Sequence, residues 1–337
     1  MDGILIIDKP EDWTSHDVVA RLRRVLKTKR IGHTGTLDPF ATGVLVMLVG
    51  KATRLAQFLD KDVKEYEAVV RFGFGTDTGD RTGEARRSQV PNESKVPNES
   101  QVEEPSVLLK NVKDILPQFR GEIEQIPPMY SAKKVAGKKL YELARKGVEI
   151  ERKPVPVTIA ELEVIEPPRR GDAGEERKGE EEKGRGGEES GDSSFTTHDS
   201  RLSTWDLGLR VVCSAGTYIR TLAEDIGRAV GTGAHLAELR RTRAGRFKLD
   251  RAVTLEEFGS LENPAEILVS MNEAVSHLPE IKLNDEELAK IRNGVKIPAR
   301  IDTPGVQIVR LTAAGDELIA MGFHDENERV IRPRLVF

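Results

Sequence analysis

Gly32-His33-Thr34-Gly35-Thr36-Leu37-Asp38-Pro39-Phe40-Ala41-Thr42-Gly43 is the stretch on which the reading of this chain turns. Glycines at 32, 35 and 43 with a proline at 39 specify a tightly shaped loop rather than a flexible linker. On its N-terminal side Val18, Val19, Leu22, Val25 and Leu26 recur at the helical period, and Ser15 is placed to cap that helix. The opposite helix face is basic, with Arg21, Arg23 and Arg24, and Lys27, Lys29 and Arg30 follow. On the C-terminal side Val44 to Val49 reads as a buried strand. A loop anchored by regular elements at both ends is a natural carrier of function. Asp38 within it is a candidate nucleophile or base. The competing reading is that Asp38-Pro39 only starts a turn.

Composition narrows the classes. The chain has 337 residues, 38% of them apolar and 32% charged, which suits one large domain and one smaller one. No apolar run approaches the roughly 20 residues of a spanning helix. The first residues carry no basic leader, so the cytoplasm is the expected location. Cys213 is the one cysteine, and the histidines are scattered without metal-ligand spacing. No metal and no other cofactor is expected. The net charge of −4 argues against a nucleic-acid partner until its distribution is seen. Residues 171–200 hold ten acidic and four basic residues, a net −6, which leaves +2 on the rest. A mildly basic body is compatible with RNA.

Other elements follow from period and punctuation. Ile4 to Ile7 and Tyr66 to Phe74 read as strands, and Ala52 to Leu59 as a helix. Val107 to Phe119 and Ile219 to Val230 have helical spacing. Trp205, Leu207, Leu209, Val211 and Cys213 alternate strictly, which predicts a half-buried strand. Two segments look inserted. Residues 86–104 contain a six-residue repeat, Gln89 to Ser94 and Lys95 to Ser100. Residues 168–202 are rich in Gly, Glu and Lys with Phe195 as their one aromatic, too little apolar surface to offset ordering entropy. Both are expected to be disordered. After Glu262 to Ala265 the tail shows short apolar runs between turns. The chain therefore reads as a 1–260 domain and a small β-rich module over 271–337.

Five motifs in order resemble the TruB family of pseudouridine synthases. Gly32 to Gly43 is similar to that family's catalytic loop, and Lys64-Glu65-Tyr66 to its Lys-x-Tyr motif, continued by Gly75-Thr76-Asp77-Thr78 and Asp80. Pro127 to Lys134 resembles its RNA-gripping segment, and Cys213 to Arg220 its arginine motif, with Ala215 where lysine is frequent. Gly233 to Leu236 with Leu239 to Arg243 resembles the element that closes the catalytic domain. The 271–337 tail is loosely similar to the PUA-like module often appended to the family.

The resemblance implies roles, residue by residue. Asp38 would be the essential carboxylate. Tyr66 would pack on the target base and help remove its carbon-5 proton. Arg220 would pair with Asp38, and a guanidinium there keeps a carboxylate ionised. Independently of the family, a cation at a helix start opposes the dipole, so Arg220 must have a partner. His33 would occupy the space left by a flipped nucleotide. Lys64, Tyr218 and Leu239 would line the pocket. Lys133 and Lys134, with Tyr130 and Tyr141 interleaved, would hold RNA phosphates.

The implied fold is α+β: a mixed, largely antiparallel central sheet with flanking helices. The implied reaction is isomerisation of uridine to pseudouridine at position 55 in the tRNA T stem-loop, by a monomer. Two alternatives stay open: a guide-RNA-dependent enzyme acting on ribosomal RNA, and an RNA-folding chaperone whose catalysis is secondary.

Overall fold

The structure is a computed structural model. It describes the chain except residues 87–104, 132–133, 136–137, 141–146, 149, 167–194, 198–203 and 301–306. The described residues form two compact units, 1–62 with 243–337, and 63–242.

The first unit begins with strand β1 (Gly3–Lys9) and helix α1 (Ser15–Val25), then strands β2 (Ile31–Thr34) and β3 (Thr42–Val49). Both β1 and β2 pair with β3, antiparallel, with Ile6 and Thr34 each opposite Val46. β3 is central and thoroughly buried, which is why its sequence is an unbroken apolar run. α1 buries Val18, Val19 and Leu22, as the helical period predicts.

The capping differs from expectation. Thr14 is the N-cap and forms a capping box with Asp17. Ser15, one residue inside, is buried and turns its hydroxyl to Leu37 instead. Thr14 and Ser15 are chemically interchangeable caps, and only a distant loop decides between them.

The second unit opens with β4 (Lys64–Phe72). It continues with α2 (Pro105–Ile115), β5 (Gly121–Gln125), β6 (Val155–Ile165), β7 (Phe195–Thr197), β8 (Trp205–Cys213), α3 (Ile219–Ala229) and β9, which starts at Ala234. Its strands lie in the order β9-β4-β8-β6-β5, with β7 also on β8. The β4–β8, β8–β6 and β6–β5 pairings are all antiparallel.

Strand β8 corrects one expectation. It is buried on both faces, not half-buried, apart from Arg210. Its polar-looking face is filled by an ion pair, Arg71 to Asp206 at 2.7 Å, and by Arg210 reaching Glu65 at 3.4 Å and Glu161 at 2.6 Å. Alternation showed that two faces differ in polarity. It did not show that flanking strands cover the polar one.

The insertions at 86–104 and 168–202 lie outside the described residues, except Arg86 and β7. β7 is a departure from the expected loop: Phe195 to Thr197 pair with Leu207 to Trp205.

The tail completes the first unit. Strands β10 (Glu280–Lys282), β11 (Ile297–Pro298), β12 (Ile308–Thr312), β13 (Leu318–Asp325) and β14 (Val330–Val336) form a sheet of order β10-β12-β13-β14-β11, with helix α4 (Asp285–Arg292) beside it. One face has its own core of Ile291, Ile297, Val309 and Ile331. The other does not stand alone: Leu318, Met321 and Leu335 join Ile4, Val44, Val46 and Leu48 in one apolar cluster. The tail thus belongs with residues 1–62 in the first unit.

Candidate active site

The loop around Asp38 is pinned on both sides of that residue. Before it, Leu37 donates its N–H to the Ser15 hydroxyl at 3.0 Å, and that hydroxyl donates to the Leu37 carbonyl at 3.3 Å. After it, the Pro39 carbonyl accepts from the Lys9 ammonium at 3.0 Å. Lys9 is fully buried, and its Nζ also donates to the carbonyls of Pro10 at 2.8 Å and Trp13 at 2.6 Å. A buried ammonium is tolerated only when its donors are satisfied, so these carbonyls and Lys9 fix one another.

Further along, Ala41 N–H closes a turn on the Asp38 carbonyl at 3.1 Å. Gly35 sits at φ 62 and donates its N–H to Asp60 Oδ1 at 3.1 Å, a left-handed conformation that favours glycine. Leu37, Phe40 and Ala41 are buried while Asp38 is half-exposed. A carboxylate is thus held at the surface by a loop whose neighbours face the core. His33, on β2, is half-buried and meets the ring of His16 edge-on at 5.6 Å.

In the second unit four of the quoted motifs converge. Lys64 and Tyr66 lie two residues apart on β4 and so share a face, the buried one. Tyr66 stands opposite Val211 and Lys64 opposite Cys213 in the ladder. Arg220, in the first turn of α3, is buried. Its guanidinium donates to the Thr78 carbonyl at 3.0 Å and the Tyr130 carbonyl at 2.7 Å, and lies 3.5 Å from the Asp80 carboxylate. The partners demanded by a cation at a helix start are therefore present.

Asp80 is itself buried and held. Its Oδ1 accepts from the hydroxyls of Thr78 and Thr82 and from Thr82 N–H. Gly79 beside it stands at φ 74, where a Cβ would lie 3.0 Å from Glu224 Oε1. Burial pushes the Glu224 carboxyl up from its ordinary value. Leu236 joins the group by backbone bonds to Gly79 and Arg81.

Gln125 is a residue that motif reading missed. It is buried, accepts from Tyr218 N–H at 2.9 Å and donates to the Tyr218 carbonyl at 3.3 Å. Tyr218 is the N-cap of α3 and its side chain makes no cap, so Gln125 aims the helix start that carries Arg220. A glutamine at the end of Glu122-Ile123-Glu124-Gln125 had no sequence signal of its own. Lys9 did leave one: a charge two residues beyond Ile7 on a buried strand.

Of the other expected residues, Tyr218 is half-buried and Leu239 buried on β9. Lys134 lies in a short strand opposite Lys139, and Lys133 falls outside the described residues. Asp38 and His33 belong to the first unit, and Tyr66, Lys64, Tyr218, Arg220 and Leu239 to the second.

Residues 23–174 match the TruB family pseudouridylate synthase (N terminal domain), and residues 220–275 match the tRNA pseudouridylate synthase B C-terminal domain. The tRNA pseudouridine synthase B of Solibacter usitatus (strain Ellin6076) is 39% identical, over 96% of this chain and 95% of that protein. The chain belongs to the TruB family. The tRNA pseudouridine synthase B of Geobacillus thermodenitrificans (strain NG80-2) is 36% identical, over the whole of both chains. Among solved structures, a Cbf5-Nop10-Gar1 complex aligns with a TM-score of 0.62 at 28% identity, over 99% of this chain and 84% of that one. An H/ACA RNP bound to a substrate RNA containing 2'-deoxyuridine aligns at 0.61 and 26%, with 99% and 84% covered. The TruB loop and the Lys-x-Tyr strand fall inside the first match, and the second match begins at Arg220. The expected mixed α+β fold of the pseudouridine synthases is thus the one observed.

Proposed function

We propose that this TruB-family chain isomerises uridine to pseudouridine in tRNA, at position 55 of the T arm. The observation that carries the reading is the double clamp around Asp38: Ser15 on Leu37 and Lys9 on Pro39 fix the backbone on both sides of the carboxylate. Positioning of this kind converts an ordinary Asp into an effective nucleophile.

The chemistry asks for little else. The bond from C1' to N1 breaks, the base turns, and a bond from C1' to C5 forms. The C5 proton leaves and a proton joins N1, so atoms and electrons balance with no redox partner and no cofactor. Asp38 attacks the flipped uridine or its ribose. Tyr66 packs on the base and assists loss of the C5 proton. Arg220 pairs with Asp38 and keeps it ionised. His33 fills the gap left by the extruded nucleotide, which offsets part of the unstacking cost of a few kcal/mol. Lys64, Tyr218 and Leu239 line the pocket, Lys133 and Lys134 meet phosphates, and the 271–337 module adds RNA contacts. We place the enzyme in the cytoplasm as a monomer. No helix among the described residues is long and apolar enough to cross a membrane.

The test is mass mapping of pseudouridine in tRNA treated with the wild type and with Asp38→Asn. Product at position 55 from the wild type alone supports the reading, and product from both overturns the mechanism. The likeness to Cbf5 complexes favours a second reading, dependence on a guide RNA. Turnover of a bare T-arm stem-loop by the purified protein would exclude it.

A further inference from the structure

The turn before α1 presents an aromatic side chain to solvent. Trp13 is 37% exposed, although it precedes the N-cap, where an apolar residue usually staples onto the fourth helical position. That position is Val18, which is already fully buried. The turn is built rather than loose. Asp12 sits at φ 63, a left-handed conformation uncommon outside glycine, and the Trp13 carbonyl is locked to Lys9. The same Nζ holds the Pro39 carbonyl, so the backbone of Trp13 adjoins the residue after Asp38. One turn on, His16 contacts His33.

We propose that Trp13 stacks on a base or ribose of the substrate RNA next to the uridine received at Asp38. This rests on the reading of the Asp38 loop as the uridine site and extends it to a neighbouring nucleotide. An aromatic platform of this kind binds any base face. The charge around it selects against the alternative. Glu11, Asp12 and Asp17 lie within four residues of Trp13 in sequence and repel a phosphate, while the nearby Lys9 ammonium is buried on three carbonyls and not open to one. The contact is therefore to a ring or a sugar and not to the backbone charge.

The chain's two tryptophans make the test direct, because the other, Trp205, is 7% exposed on β8. In Trp205→Phe, emission comes from Trp13 alone. Titration with the T-arm stem-loop, or with whole tRNA, should quench it. Trp13→Ala should raise KM about tenfold with kcat within about twofold, and Trp13→Phe should restore most of the loss. The slope of affinity against salt should not change in Trp13→Ala, since no phosphate contact is lost. Emission that is unchanged at saturating RNA, while the same protein turns that RNA over, overturns this inference and leaves the proposed function standing. So does an unaltered KM in a folded Trp13→Ala. Undiminished turnover by Asp38→Asn instead strikes the reading beneath it.

Discussion

Two regions carry the candidate chemistry, and they are built in opposite ways. The Asp38 loop is held from within the first sixty residues: Lys9, Ser15 and Asp60 lie 22 to 30 residues from the groups they bind. The Arg220 cluster is held across the chain: the guanidinium reaches Thr78 and Tyr130, and Gln125 aims its helix, at separations of 142, 90 and 93 residues. The first region is a rigid local device placed half in solvent. The second is a buried polar network that exists only once a whole sheet has assembled. The clamp fixes the backbone around Asp38, and the long-range network fixes the guanidinium of Arg220 beside Asp80. The first should be sensitive to geometry and the second to electrostatics.

Substitutions can break that contrast, and the largest effect is expected at the aimed group itself. Asp38→Asn should lower pseudouridine formation by about 10⁴-fold while melting temperature and RNA affinity hold, because it removes the proposed nucleophile and leaves the clamp. Loss of binding along with turnover would show that the loop had collapsed.

Next comes Lys9→Met, which keeps the length of the stem and leaves the carbonyls of Pro10, Trp13 and Pro39 without their shared donor. Unsatisfied buried groups cost roughly 1–3 kcal/mol each, so a loss of about 3 kcal/mol is expected in a urea midpoint, with m unchanged. A loss confined to kcat, with full stability, would mean that Lys9 acts on the reaction and not on the fold.

Arg220 and Asp80 sharpen the other side. A double-mutant cycle between Arg220→Lys and Asp80→Asn should give a coupling of about 1–2 kcal/mol in kcat/KM. Lysine keeps the charge but loses the fork that reaches the carbonyls of Thr78 and Tyr130 together. Additive effects would dissolve the network into independent contacts.

The smallest effect concerns pH. Burial holds His235 below its ordinary value of 6.5, although its Nδ1 lies 3.0 Å from the Phe74 carbonyl. Its folded form binds protons less readily than its unfolded form, so the stabilising contribution is complete above about pH 6.5 and declines as pH falls through the lowered value. Melts taken from pH 7 downward should show this loss, and His235→Phe should flatten it. Glu224 and Asp225, both raised by burial, work in the opposite direction and oppose the decline at the acid end. Cys213 gives a control: burial pushes its thiol up to about 11, so alkylating reagents should leave it unmodified at neutral pH while the protein is folded.

What could be read from the chain alone was whatever depends on neighbours in sequence. The loop around Asp38, the helix before it, the strand after it and the Lys64–Tyr66 face are set by period, glycine placement and turn chemistry, which act over a few residues. The demand of Arg220 for a partner was also legible, because a cation at a helix start is unfavourable by itself. Which partner it took was not. Asp80, Thr78 and Tyr130 become its ligands only when β4, β8 and α3 are packed, and several acids and carbonyls could have met the same demand. The same holds for Ser15, diverted from capping to the Leu37 backbone, and for β8, whose polar face is covered by ion pairs from the flanking strands. Local sequence determines what each group needs. Burial makes that need compulsory, and the tertiary structure decides which group supplies it, because only close packing brings distant donors and acceptors within about 3 Å.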